Sequence, residues 1–279
     1  MSLAERELPV ELERRIFEIA AQSNSMFIPT LLLVAHRVKT WLEPMLYSVV
    51  VFSDPIDGHV SFDPVRFGSA IQSQTISEHV KNLFTPYENF PLLDLDLILA
   101  SCSAVQNLVL FPNQSDLLPF LSTMPLRRLS TTLTDVFPAT GVDFMHPLFS
   151  CLTHLELMDT LTNAVWEEWK GLTLIPNLTH LAFLIEKSLA IFQGMLAACP
   201  ALQVLVSLHW GFKGISYEGI GLEPLSQDTR FVCMPAPPLS ADWQIGARGG
   251  DDFWVRAEKF VAQRVSGQVD RGTFVLQKQ

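Results

Sequence analysis

The hexapeptide Leu152-Thr153-His154-Leu155-Glu156-Leu157 returns 26 residues later as Leu178-Thr179-His180-Leu181-Ala182-Phe183. Looser copies run from Val80 to Thr85, Val105 to Leu110, Leu126 to Thr131 and Leu202 to Ser207. Their fourth positions are Leu83, Leu108, Leu129, Leu155, Leu181 and Leu205, separated by 25, 21, 26, 26 and 24 residues. Six leucines in step constrain the chain strongly. One short strand and one return segment per period cannot bury their apolar sides alone, so the units must stack. The period and the LxxLxL pattern predict an α/β solenoid of leucine-rich-repeat type with a parallel sheet.

Within each repeat, alternation along a strand sends the fourth-position leucine inward and its two neighbours to the opposite face. This places Asn82, Asn107, Arg128, His154, His180 and Val204 in one ladder. Phe84, Val109, Ser130, Glu156, Ala182 and Val206 form the next. On a curved solenoid both ladders are expected on the concave face, as a surface for a protein substrate. Arg128 is their lone cation, which argues against a phosphate pocket. Return segments predicted as helical are Leu92 to Ser101, Leu117 to Thr123, Val165 to Leu174 and Leu189 to Cys199.

Before the repeats, Leu8-Pro9 opens a predicted helix with Glu11 and Glu13 in its first turn, where the helix dipole favours anions. Leu12, Ile16, Phe17, Ile19 and Ala20 give it a broad apolar face. A second apolar stretch ends at Ala35, and Trp41, Leu42, Met45 and Leu46 mark a third helix that Pro44 is expected to kink or restart. Three short helices in about 40 residues cannot bury this much apolar surface alone. Tyr47 to Phe52 is β-branched and aromatic and reads as a first strand. Residues 53–66 read as a loop, from their Asp, Pro and Gly. Two regions follow, a helical unit over 1–47 and a repeat body over 48–279, fused if the first strand pairs with the Val80 repeat.

After Leu208 the regularity fails. Gly211, Gly214, Gly219 and Gly221 mark an irregular insertion, Arg230 to Met234 reads as one more strand, and Ala236-Pro237-Pro238 as a turn. From Asp251-Asp252 a helix is predicted whose Phe253, Ala257, Phe260, Val261 and Arg264 share a side. Its expected role is to cap the exposed edge of the last repeat.

The net charge of −10 repels phosphates, and no basic cluster offsets it, so nucleic acid is not an expected partner. No apolar run approaches the ~20 residues of a spanning helix, so a membrane is not expected either. Four cysteines, Cys102, Cys151, Cys199 and Cys233, form no CxxC pair and read as small apolar filling in a reducing cytosol or nucleus. His154, Glu156 and His180 are the one set that suggests zinc or an enzyme; solvated copies from repeat duplication are the preferred reading, and no metal or cofactor is expected. Glu167 and Glu168 diverge on a helix and do not pair, while Trp166 and Trp169 share a face that reads as core. Residues 246–251 precede a helix but lack a phosphate-binding motif and read as a capping turn. No catalytic motif is present.

Leu8-Pro9-x-Glu11-Leu12, Ile16-Phe17, Leu33-Val34-Ala35-His36-Arg37 and Trp41 together resemble the F-box motif over residues 8–47. Ala35 stands where that family often has Cys, and Val38 where it often has Trp. The whole chain is similar to the F-box proteins with degenerate leucine-rich repeats found in fungi. The resemblance implies a non-enzymatic substrate receptor of an SCF-type ubiquitin ligase, linked through a Skp-type adaptor to a cullin. It implies that Leu8, Pro9, Leu12, Ile16, Phe17, Leu33 and Val34 contact the adaptor. The alternative is a free-standing scaffold in which the helices only cap the first repeat.

Overall fold

The computed structural model describes residues 8–52, 60–71, 74–85, 95–111, 116–138, 141–159, 166–184, 189–209 and 221–277. Eight strands form one all-parallel sheet, each paired with its neighbour in sequence. They are β1 (Val49–Val51), β2 (Asn82–Phe84), β3 (Asn107–Leu110), β4 (Arg128–Thr131), β5 (His154–Leu157), β6 (His180–Leu184), β7 (Val204–His209) and β8 (Phe231–Pro235). The register aligns Leu83, Leu108, Leu129, Leu155, Leu181 and Leu205 side by side, as their spacing predicts. All six are buried in one continuous core with the return segments, including the helices Leu95–Ser101 and Leu189–Ala198. Each such leucine removed from water is worth roughly 2 kcal/mol. Because a one-residue slip would turn the whole row outward, the leucines fix register as well as stability.

The strand over Tyr47–Phe52 forms as β1 and pairs with β2, so the helical unit and the repeat body share a sheet. Arg230 to Met234 forms as β8 beside β7. The predicted return helices form at Leu118–Leu121, Trp166–Trp169 and Leu189–Ala198, with a 3-10 turn at Lys170–Leu174. Trp169 is buried and Trp166 packs on the same core. Cys102, Cys199 and Cys233 fill that core as expected, whereas Cys151 is exposed. The predicted loop is shorter than read, because Asp63 caps a helix at Pro64–Ala70. Its residues 53–59, and Gly211, Gly214 and Gly219, lie outside the described residues.

Short helical turns also form where no periodic signal marks them, as at Leu133–Val136. A long-range cap explains that one. The buried Asp159 carboxylate accepts hydrogen bonds from the Leu133 and Thr134 amides at 2.8 and 2.9 Å and from the Thr134 hydroxyl at 2.7 Å. Asp159→Ala is expected to cost about 2 kcal/mol in urea unfolding, because the buried Leu133 amide loses its acceptor and both bonds from Thr134 are lost.

The N-terminal unit comprises α1 (Val10–Ser23), α2 (Ile28–Leu31) and α3 (His36–Tyr47) around Ala21, Ile28, Val38 and Leu42. Of the two outcomes expected at Pro44, a kink or a restart, the restart does not occur: α3 runs through it as one helix to Tyr47. The Arg37 guanidinium forks onto the Glu13 carboxylate at 2.8 to 3.2 Å, tying the start of α3 to the first turn of α1.

The C-terminal helix corrects the reading more sharply. Two helices, Leu239–Ala247 and Phe253–Ser266, follow β8. They lie across the sheet face opposite the leucine core, not at its edge. Trp243 packs with Val49, Val51, Phe84 and Val109. Phe253, Trp254, Ala257 and Phe260 pack with Ala182, Val204, Val206, Val232 and Met234. The edge of β8 is closed by a different segment: the Cys233 amide donates to the Phe274 carbonyl at 2.8 Å, and the Cys233 carbonyl accepts from the Leu276 amide at 2.9 Å. At the other end, the Phe62 amide donates to the Val51 carbonyl of β1 at 3.1 Å. The covering pair suits an all-parallel sheet, whose strands ordinarily bury both faces. Among the described residues, no helix is long and apolar enough to cross a membrane.

Candidate functional site

Two places concentrate unusual chemistry. The first is the outer surface of the helical unit. Of fourteen large apolar side chains exposed among the described residues, nine lie between Leu8 and Val34. Leu33 is 85 % exposed and Val34 60 %, while Leu8, Leu12 and Ile16 are each more than half exposed. Leu12, Ile16 and Ile19 follow one another at helical spacing along α1. The Glu13–Arg37 fork joins the first turn of α1 to the start of α3, just after the Leu33-Val34 turn. Pro9 is exposed at the helix start, whereas Phe17 is half-buried and packs into the unit's own core. Six of the seven sequence-predicted adaptor residues are therefore exposed on the same small unit, with Phe17 packed into its core. Such a concentration of exposed apolar side chains on a small unit marks a contact surface.

The second place is the sheet face that carries both ladders. Its residues were expected to be an open concave surface for substrate; the structure places them beneath the two C-terminal helices. The Trp243 indole donates to Asn107 Oδ1 at 3.0 Å, and Asn107 in turn donates to Asn82 at 3.3 Å. Phe84 meets Trp243 edge-on with centroids 5.4 Å apart. Val109 and Val204 are buried in the two apolar clusters under the helices. Arg128 pairs with Asp252 at 2.9 Å, and Ser130 donates to Glu156 at 2.7 Å. The ladders are most polar in their middle. Their ends, Phe84 and Val109 on one side and Ala182, Val204 and Val206 on the other, needed apolar cover. Trp243, Phe253 and Trp254 supply it.

Beneath that cover lies a buried polar centre. Asp252 accepts from the Val255 amide at 3.0 Å as the helix cap and binds Arg128 with its other oxygen. Asp242 accepts from the Phe253 amide at 2.8 Å and pairs with Arg256 at 2.8 Å. A Cβ on Gly246 would fall 2.1 Å from the Asp252 carboxylate, so only glycine lets the two helices close at this point. Glu156 is pushed up to about 7, chiefly by burial; the Ser130 hydroxyl opposes this and Asp242 and Asp252 add to it. A cavity of about 30 Å³ remains among Arg128, Ser130, Glu156, Asp242 and Trp254, room for a water.

His154 and His180 stack on adjacent strands, with ring centroids 4.1 Å apart and planes 7° from parallel. They are not the solvated copies expected from duplication. Trp254 abuts both rings edge-on. Burial lowers His154 to about 2, helped by His180 and Arg128, and lowers His180 to about 4, helped by Arg128. The Thr153 hydroxyl donates to the Arg127 carbonyl at 3.0 Å, so it accepts from His154 Nδ1 at 2.8 Å. Thr179 repeats the arrangement, donating to the Thr153 carbonyl and accepting from His180 Nδ1 at 2.8 Å. This network assigns Nδ1–H tautomers and leaves a lone pair on each Nε2. Both Nε2 atoms are buried and lack a hydrogen-bond partner. Glu156, grouped with them in the sequence, points to Ser130 instead. The carboxylate beside His180 belongs to Glu258, with Oε1 3.1 Å from Nε2.

Sequence reasoning missed Asp242, Trp243, Asp252, Trp254 and Glu258 as parts of this centre. The visible signal was the pairing of Asp with bulky aromatics, Asp242-Trp243 and Asp252-Phe253-Trp254, at helix starts facing an apolar ladder. No protein-family model matches the chain, and the comparison with curated proteins finds no match.

Proposed function

We propose that this chain is a substrate receptor of an SCF-type ubiquitin ligase, with an F-box over residues 8–47 and a leucine-rich-repeat body. One observation carries the reading. Of the seven positions that the F-box resemblance assigns to the adaptor contact, six (Leu8, Pro9, Leu12, Ile16, Leu33 and Val34) are left in solvent by the folded unit, and Phe17 is half-buried beneath them. A capping unit would turn such residues toward the repeats. Apolar side chains presented on a small helical body suit a partner that takes them out of water. The chain itself supplies proximity and orientation, and the ubiquitin chemistry belongs to other subunits. Its consecutive parallel strands and in-register leucines support the repeat assignment. A client contacts surfaces other than the covered ladders, or displaces the cover.

Co-expression with a Skp-type adaptor tests this. The full chain is expected to co-purify with it, and Leu12→Asp or Ile16→Asp to weaken the complex at least 100-fold, since each places a charge in a desolvated contact. Both side chains point to solvent, so circular dichroism and melting are expected to stay unchanged. A chain that is folded and monomeric beside the adaptor, with no complex, would favour the free-standing scaffold.

A further inference from the structure

The contact between His180 Nε2 and Glu258 Oε1, 3.1 Å long, joins two hydrogen-bond acceptors. Thr179 holds the imidazole proton on the far nitrogen. Two lone pairs do not rest against each other unless something positive lies between them. A proton could bridge that pair alone. It would leave His154 Nε2, also buried and unpartnered, facing the same space with nothing to bind. One cation satisfies all three groups, whose ligand atoms lie within 4.8 Å of one another.

We propose that His154, His180 and Glu258 form a site for a single transition-metal ion of the zinc class, bound through two Nε2 atoms and one carboxylate. Two imidazoles select zinc, cobalt, nickel or copper over magnesium and calcium, which prefer all-oxygen shells. The Thr153 and Thr179 hydroxyls do for these rings what outer-shell groups do at metal centres, since each accepts the Nδ1 proton and so aims the other nitrogen. Repeat duplication brings the two rings together, because Thr153-His154 and Thr179-His180 occupy the same register on β5 and β6. Glu258 arrives from the second covering helix, so the ion would pin that helix to the sheet. Arg128 is the nearby cation, and its charge is matched by Asp252 at 2.9 Å. Metal–nitrogen bonds of ~2.0–2.1 Å require the stacked rings to tilt open slightly toward a common point. Glu258 is 44 % exposed, which leaves a fourth position for water.

The test uses the full chain, stripped with a chelator and titrated with cobalt(II) alone. A visible ligand-field band saturating at one equivalent is expected, displaced one-for-one by zinc. His154→Gln and His180→Gln are each expected to abolish it. Glu258→Gln, at a half-exposed position that does not threaten folding, is expected to weaken binding more than tenfold while the melting curve without metal stays unchanged. No band with folded wild-type protein overturns the site and leaves a shared His180–Glu258 proton. A band that survives both Glu258→Gln and His180→Gln overturns it too, as adventitious binding elsewhere. Adaptor co-purification is independent of either result.

Discussion

Arg264→Met is expected to destabilise the protein by about 4 kcal/mol or more, a large part of the 5–15 kcal/mol by which a domain is ordinarily stable. Arg264 sits in the second covering helix and is fully buried. Its guanidinium donates to the Ser226 carbonyl at 2.7 Å, to Thr229 at 3.1 Å, to Phe231 at 2.6 Å and twice to Arg271, at 2.5 and 3.1 Å. These oxygens belong to the approach to β8 and to the segment that follows the helix. One side chain therefore ties the second covering helix to the start of β8 and to the chain that follows the helix. Methionine fills the volume and supplies no donor, so four carbonyls are stranded at about 1 kcal/mol or more each. Arg264→Lys is expected to fall between, because a point-like ammonium with three donors cannot serve a planar fork of five bonds. Urea unfolding of the three proteins is the measurement. A loss under 1 kcal/mol for Arg264→Met would show that water reaches these carbonyls.

Glu156→Gln is expected to act in the opposite direction, raising stability by about 3 kcal/mol at pH 8. The sign follows from the proton. Burial raises the folded-state value of Glu156 from 4.5 to about 7, so the folded chain keeps a proton that the unfolded chain has already released. Its contribution is intact below pH 4.5, declines as pH rises through about 7, and is level above that. Glutamine stays neutral throughout and can still accept the Ser130 hydroxyl, which donates at 2.7 Å in the parent. The gain should therefore shrink to a small value at pH 5. His154 and His180 lose stability on acidification in both proteins, so they cancel in the difference, and chelator in the buffer keeps metal out of the comparison. An equal gain at pH 5 and pH 8 would sink the titration argument and leave packing as the cause.

The repeat was legible because leucine spacing is a one-dimensional record of stacking, and the in-register contacts of Leu83 through Leu205 follow from it directly. The sides of the strands were legible too, since alternation alone separates His154 and Glu156 from Leu155. What lay across that face was not. Trp243 reaches Asn107 over 136 residues, and Glu258 reaches His180 from another element, and no local period encodes such meetings. Arg264 was visible as a cation on an apolar stripe, yet its partners are backbone carbonyls, which every residue has and no sequence distinguishes. Phe17 shows the same limit in miniature. The motif groups it with Leu12 and Ile16, but helical geometry turns it inward by about 100° from Ile16, toward Ala21 and Leu42.

A row of parallel strands has no natural end, and any copy of the chain could in principle continue it. Here Phe62 occupies the Val51 carbonyl of one outermost strand, and Phe274 and Leu276 occupy the Cys233 amide and carbonyl of the other. Growth into a fibre by strand addition would have to displace these bonds at either edge.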